Sequence, residues 1–449
     1  MRRTDGPDKS SRVMNRGFRN PVDRRGEKNI RGKTGIAFAS AIALVSCFVV
    51  FRVFRQHGQG EYRTEDDSCM TEEEQILTIL TPDAFVDEFQ GFIEETGKKL
   101  GMKIRLEATS QDAESREAQV SNLLTSWNQD VDLIAINDEM ASEYIPKGYL
   151  EPLGEDVLSE GIRSSFSEEY FQKVCMYEGE VYSAPYMLDI MMFWINQKFL
   201  EEAGVSDMNT EDRFEHFLET DYGENRYAYG SAWEQSYAYN DLFQTVNLFG
   251  GDYLDWDNEN SRSAVQYLKD LAENGQTPED QVFDQYDQME QKFIDGRYGC
   301  IYLYSGAMNI LLNSGAYSDE GIHVSSIPGF YEKKTTIATW QFSINRSSSH
   351  KDAAKAFIRY ITGDDGAEYY SNCIQHAPAR LDILRHGSLN IPDIEVVRSY
   401  VNTCELLPRY FTDNPMSGIK SIGALFHKYI AGEITTEDFC ADAQDIVDE

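Results

Sequence analysis

Carboxylates and aromatic rings are the side chains through which this sequence has most to offer a ligand. Asp138 and Glu139 follow the apolar run Val131–Ile136, and Asp189 lies between Tyr186 and Trp194 in the stretch Val181–Asn196, VYSAPYMLDIMMFWIN. Asp138 and Asp189 have the chemistry of a general acid and base, although such pairs arise readily by chance in a chain with 76 Asp and Glu. Asp138 equally suits a helix cap. Residues 222–256 are dense in rings: Tyr222, Tyr227, Tyr229, Trp233, Tyr237, Tyr239, Phe243, Phe249, Tyr253 and Trp256. Most such rings belong in a core. The remainder present an apolar face with a polar tip, which suits the C–H face of a sugar ring and its hydroxyls.

Other chemistries lack their residues. No GxSxG, HExxH or GxGxxG occurs, and Gly26–Thr34 (GEKNIRGKT) has one residue too many between its glycines for a phosphate loop. The seven histidines stand apart from one another, and the seven cysteines form no CxxC pair. A metal site, a cofactor and a small disulfide scaffold are therefore not expected. Asp255–Asn260 glances at a calcium loop but has Gln266 where the bidentate acid belongs, so a surface turn opening the helix Ser261–Asn274 is expected.

Charge is unevenly spread. The chain has 449 residues and a net charge of −35, yet residues 1–34 hold 11 Lys/Arg against 4 Asp/Glu. The acidic body excludes nucleic acid as a partner, since phosphate binding needs clustered cations. Gly35–Phe51 carries no charge and follows this basic tail, which reads as membrane-directed with the N-terminus inside. Two readings stay open: an uncleaved anchor over residues 35–54, or a lipoprotein signal in which Leu44-Val45-Ser46-Cys47 presents Cys47 for lipid. Residues 55–74, polar and acidic, suit a flexible tether. Either way the body lies outside the membrane.

The elements that must position the carboxylates begin near residue 75. Gln75–Leu80, Lys103–Ala108 and Val131–Ile136 read as strands. Helices are expected over Asp83–Leu100, with Phe85, Phe89, Phe92, Ile93, Thr96 and Leu100 on one face, and over Glu114–Trp127, with Val120, Leu123, Leu124 and Trp127 inward. The order β-α-β-α-β implies a parallel sheet, whose ligands bind beyond the carboxyl ends of strands. That places Asn137, Asp138 and Glu139 at a mouth. Val181–Asn196 begins in a hairpin turning at Glu178-Gly179, and its Pro185 stiffens an extended crossing. Thr335–Asn345 is a second crossing, Ala377–Arg380 a third. Lys351–Thr362 is an amphipathic helix with Ala354, Phe357, Ile358 and Ile361 inward, and 419–431 and 435–448 close the chain as helices.

In this order the segments resemble the extracellular solute-binding proteins of bacterial ABC importers, of the carbohydrate-binding family 1 type. The resemblance is carried by DLIAINDEMASEYIPKGYLEPL (132–153), YEGEVYSAPYMLDIMMFWINQKFLEEAG (177–204), FIDGRYGCIYLYSGAM (293–308), IPG (327–329), KDAAKAFIRYIT (351–362), PAR (378–380) and LPRYFTDNPMSGIKSIGALFHKYIAGEITTEDF (407–439). It implies an α/β periplasmic-binding-protein-like fold of two lobes, residues 75–186 with 340–377 and residues 187–339 with 378–449. The ligand sits between the lobes, and hinge motion closes them. It further implies that Asp138 and Glu139 accept sugar hydroxyls and that Tyr186 and Asp189 contact ligand from the hinge. Trp233, Tyr304 and Trp340 wall or stack on it, and Arg380 reaches it from the last crossing. Met308, Ala338 and Thr339 depart from the family pattern of an aromatic and a glycine pair. The implied function is capture of a sugar or oligosaccharide for ABC permease subunits. A membrane-anchored sensor on the same fold, a peptide or polyamine solute, and an extracytoplasmic carbohydrate-active enzyme are the alternatives.

Overall fold

A parallel β-α-β-α-β unit opens the described chain. The computed structural model describes residues 76–329, 331–409 and 414–448. The tail, the segment 35–54 with Cys47, and the tether lie outside the described residues. Strand β1 (Ile76–Thr81) pairs in parallel with β2 (Lys103–Ala108) on one side and β3 (Leu133–Asn137) on the other. The helix Asp87–Leu100 buries Phe89, Phe92, Ile93 and Thr96 and ends on Gly101 in the left-handed region, φ 67°. Two side chains depart from the helical pattern. Phe85 is 80% exposed because Pro82–Phe85 is a separate 3-10 turn, set off by the extended Val86. Trp127 is 55% exposed because its helix ends at Thr125 and Trp127 itself turns to φ 54°.

After the short strand β4 (Leu150–Glu151), strands β5 (Met176–Tyr177) and β6 (Glu180–Val181) form the expected hairpin. Glu178 and Gly179 both have positive φ, as a two-residue turn matching strand twist requires. The chain then runs as one 13-residue strand, β7 (Ala184–Asn196), rather than as two strands broken at the proline. Further on lie β8 (Tyr227–Gly230), β9 (Tyr298–Tyr304), β10 (Ile322–Ser325), β11 (Lys334–Asn345) and β12 (Glu405–Pro408). The sheet path is β2-β1-β3-β11-β7-β9-β8.

Two strands in the middle of that path, β7 and β11, are the longest of the sheet. They pair antiparallel, and their register shifts between Trp340 and Gln341: Trp340 faces Met187, but Gln341 faces Pro185. Tyr186 is thus an extra residue on β7. A proline that cannot donate to the ladder sits beside this irregularity, where its missing N–H costs least. The third crossing docks on the same place, with Pro378 bridging to Met187 and the Leu188 N–H donating to the Ala377 carbonyl at 2.9 Å. Two apolar clusters pack the described residues. One gathers Phe89, Ile134, Phe342 and Phe357; the other gathers Phe193, Phe243, Trp256 and Phe426. Among the described residues the cysteines are unpaired, and no helix is long and apolar enough to cross a membrane.

Candidate functional site

At the carboxyl end of β3 the chain turns straight into the helix Asp138–Tyr144. Asn137 caps it, accepting the Met140 N–H at 3.1 Å, so Asp138 is not the cap. Freed from capping, Asp138 and Glu139 point into the protein, 1% and 5% exposed. Two adjacent carboxylates withdrawn from water demand a cation, and Arg409 supplies it. Parallel pairing of β12 with β11 delivers Arg409, just past Pro408, to the middle of the molecule. Its Nε and Nη2 donate to Asp138 Oδ2 and Oδ1 at 3.2 and 2.6 Å. Nη2 also lies 3.0 Å from Glu139 Oε1. Nη1 donates to the Tyr239 hydroxyl and to Asn240 Oδ1, each at 2.6 Å. Tyr239 donates onward to Glu139. Burial pushes the Asp138 carboxyl well up. Burial also acts on Glu139, but the Arg409 guanidinium and the hydrogen bonds from Asp138 and Tyr239 outweigh it and hold that carboxyl below its usual value.

This cluster forms the floor of a cavity of about 300 Å³. Glu139 and Asn137 enter it from the end of β3, and Arg116 and Glu117 from the helix Ala113–Thr125. The crossings contribute Asp189, Ala338, Thr339 and Trp340. Residues 237–306 contribute Tyr237, Tyr239, Asn240, Tyr286, Glu290, Tyr304 and Gly306, and the helix Pro415–Ile430 contributes Met416, Ile419 and Lys420. The Arg116 guanidinium stands over the Trp340 ring at 5.5 Å, and that of Arg409 lies 5.2 Å from the Tyr304 ring. Asp189 accepts the Gly306 N–H at 2.7 Å. Burial pushes its carboxyl up to about 6, against the pull of that N–H and of Arg409. A Cβ on residue 306 would lie 2.7 Å from Asp189 Oδ1, so this close approach requires glycine. Three buried polar atoms of the lining, Arg116 Nε, Glu139 Oε2 and the Tyr286 hydroxyl, have no partner among the described residues.

Of the residues singled out in the sequence, Glu139, Asp189, Tyr304 and Trp340 line the cavity. Asp138 stands behind Glu139 on Arg409. Tyr186 is 2% exposed and stacks on Phe342 at 4.3 Å, below the cavity rather than in it. Trp233 is a core residue: its indole N–H donates to Asp241 at 2.7 Å and its ring packs edge-on against Phe426. Arg380 is spent elsewhere, donating to the Thr362 carbonyl at 2.9 Å and to Asp364 and Asp382 at 2.9 and 2.6 Å. Neither lines the cavity, because local hydrogen bonds already claim both polar ends. Arg409, Tyr239 and Tyr286 were missed. Arg409 carries no local signal, and only the β12–β11 pairing reveals it.

A model of the bacterial extracellular solute-binding protein family matches residues 84–390, more than half of the chain. The chain belongs to that family. It is thus a solute receptor rather than an enzyme, and the family places it outside the cytoplasm. Solved structures share the fold at low identity. The maltose-bound MalE3 protein of T. maritima is 17% identical with a TM-score of 0.70, over 83% of this chain and 99% of that one. A solute-binding protein of an ABC transporter from Thermotoga lettingae, bound with α-D-tagatose, gives the same four values. The maltose-maltodextrin binding protein of Alicyclobacillus acidocaldarius is 14% identical with a TM-score of 0.66, over 84% of this chain and 100% of that one.

Proposed function

We propose that this receptor captures a carbohydrate in the cavity between its lobes and delivers it to the permease of an ABC importer. The observation that carries the reading is the composition of that cavity. Carboxylates with unspent oxygens, Glu139 and Asp189, stand beside the faces of Trp340, Tyr304 and Tyr286, and they come from both lobes and from the crossing strands. Rings hold the apolar faces of a sugar and carboxylates accept its hydroxyls. Contacts contributed by both lobes stabilise the closed form over the open one, which couples capture to closure. Maltose and tagatose in the structural neighbours support the same ligand class. The lobes comprise residues 75–186 with 340–377 and 187–339 with 378–449. Supporting this division, β11 pairs with β3 over Trp340–Ile344 and with β12 over Lys334–Ile337, and the Tyr400 hydroxyl accepts the Phe193 N–H. The segment 35–54, or lipid on Cys47, holds the receptor beside its permease; the uncharged run and its basic flank support this.

Thermal shift of the full chain against mono- and oligosaccharides, peptides and polyamines tests the reading. A binder is stabilised by RT ln(1 + [L]/Kd), so a saccharide should raise the melting temperature in a concentration-dependent way. A clear shift from peptides or polyamines with none from any saccharide would refute the carbohydrate assignment.

A further inference from the structure

The hydrogen-bonding groups left over in the cavity say which kind of carbohydrate it takes. Arginine has five N–H donors, and Arg409 makes four hydrogen bonds, two to Asp138, one to Tyr239 and one to Asn240, with Nη2 also 3.0 Å from Glu139 Oε1 in an ion pair. The charge of this cation is thus already taken up by Asp138 and Glu139. Acceptors are in surplus. Among the described residues, Glu139 Oε2 is buried without a partner, and Asp189 is bonded through the oxygen that faces Gly306 and Ser305 and not through the other. Glu290 is 9% exposed and has no hydrogen-bond or ion-pair partner among the described residues. The charge that bears on Glu290 is another carboxylate, Asp287. Of the remaining cations of the lining, Arg116 stacks over Trp340 and binds the Ser110 and Gln111 carbonyls through Nη1, which leaves its buried Nε without a partner among the described residues, and Lys420 pairs with Glu114 at the surface; against these stand three carboxylates with open oxygens.

A hydroxyl fills one acceptor and leaves the charge uncompensated. An ammonium brings three donors and a positive charge, which desolvated carboxylates lack. We infer that the solute is an amine-bearing carbohydrate whose protonated amine is received by Glu139, Asp189 and Glu290. This rests on the carbohydrate reading above. Burial pushes the Glu290 carboxyl up to about 7, as an unpaired acid in this position should be, and a bound ammonium would return it to the ionised form.

Isothermal titration of the full chain at pH 7.5 decides it, with five probes: the glucosamine disaccharide with free amines, its N-acetylated form, maltose, digalacturonate and spermidine. The free-amine sugar should bind at least about tenfold tighter than its N-acetylated form, since charge-assisted hydrogen bonds are about twice as strong as neutral ones. Glu290→Gln removes an unpaired acid, so the variant keeps its fold, and the preference should shrink severalfold; Asp189→Asn should do the same. Equal or tighter binding of maltose, of the N-acetylated sugar or of the digalacturonate overturns the inference and leaves the carbohydrate reading intact. An undiminished preference in both variants also overturns it. Binding of spermidine with no carbohydrate bound overturns both.

Discussion

Replacing Arg409 with methionine removes the one cation that lets Asp138 and Glu139 lie buried. The guanidinium is 7% exposed and the two carboxylates 1% and 6% by side chain, so solvent screens little of the interaction. Breaking a buried ion pair from one side typically costs about 3–5 kcal/mol, because the opposite charge is left unpaired. With an unfolding entropy of about 2.1 cal/mol/K per residue over the roughly 370 described residues, 4 kcal/mol lowers Tm by about 5 °C. The deficit should also depend on pH. Without Arg409 both carboxyls are raised by burial, so the folded chain binds protons that the unfolded chain releases. Stability then rises as pH falls, and the gap to the parent protein should be widest at pH 8 and narrow towards pH 5. Adding Asp138→Asn and Glu139→Gln should recover most of the loss at pH 8. Urea unfolding monitored by tryptophan fluorescence at both pH values is the assay. A deficit below about 1 kcal/mol at pH 8, or one of equal size at both pH values, would show that Arg409 is not the compensating charge.

Three further outcomes follow from the same site. Glu290 has a folded-state pKa raised from 4.5 to about 7, so it costs the parent protein stability as pH climbs through that interval; Glu290→Gln should be more stable by roughly 1–3 kcal/mol at pH 8 and unchanged near pH 4.5, by denaturant unfolding at each pH. Gly306→Ala sets a methyl 2.7 Å from Asp189 Oδ1, and should destabilise by about 1–3 kcal/mol and weaken solute binding, whereas alanine at Gly91, where a Cβ meets nothing within 4 Å, should do neither. Trp340→Ala removes a half-buried ring from the cavity wall and should weaken binding by about tenfold or more with little change in Tm, checked by titration calorimetry; a large loss of stability with intact affinity would make that ring a packing element.

The first lobe was legible because its helices and strands announce themselves through local periodicity. Lys351–Thr362 is a helix over the span its pattern predicts, with Ala354, Phe357, Ile358 and Ile361 buried. Phe85 and Trp127 fell outside their helices because termini are decided by single backbone angles, which periodicity does not report. Glu139 and Asp189, which line the cavity, were singled out in the sequence, one from its place at a strand end and the other from a polar side chain in an apolar crossing. Trp233 and Arg380 were not separable in sequence from Trp340 and Arg409. A tryptophan or arginine serves core or cleft according to which partners reach it, and those partners lie in other segments.

Order of elements, acidity, the family and the presence of carboxylates at a mouth are therefore properties of the sequence itself. They rest on side-chain period, strand–turn spacing and charge, all of which act over a few residues. The tertiary structure alone decided that Asp138 is neutralised from a residue 271 positions away. It alone decided that one residue, Tyr186, is extra in β7 opposite the step from Trp340 to Gln341, and that Glu139 Oε2 is left without a partner among the described residues. Each depends on strands meeting across the sheet, where register and burial, not neighbours in the chain, set which polar atoms find a partner.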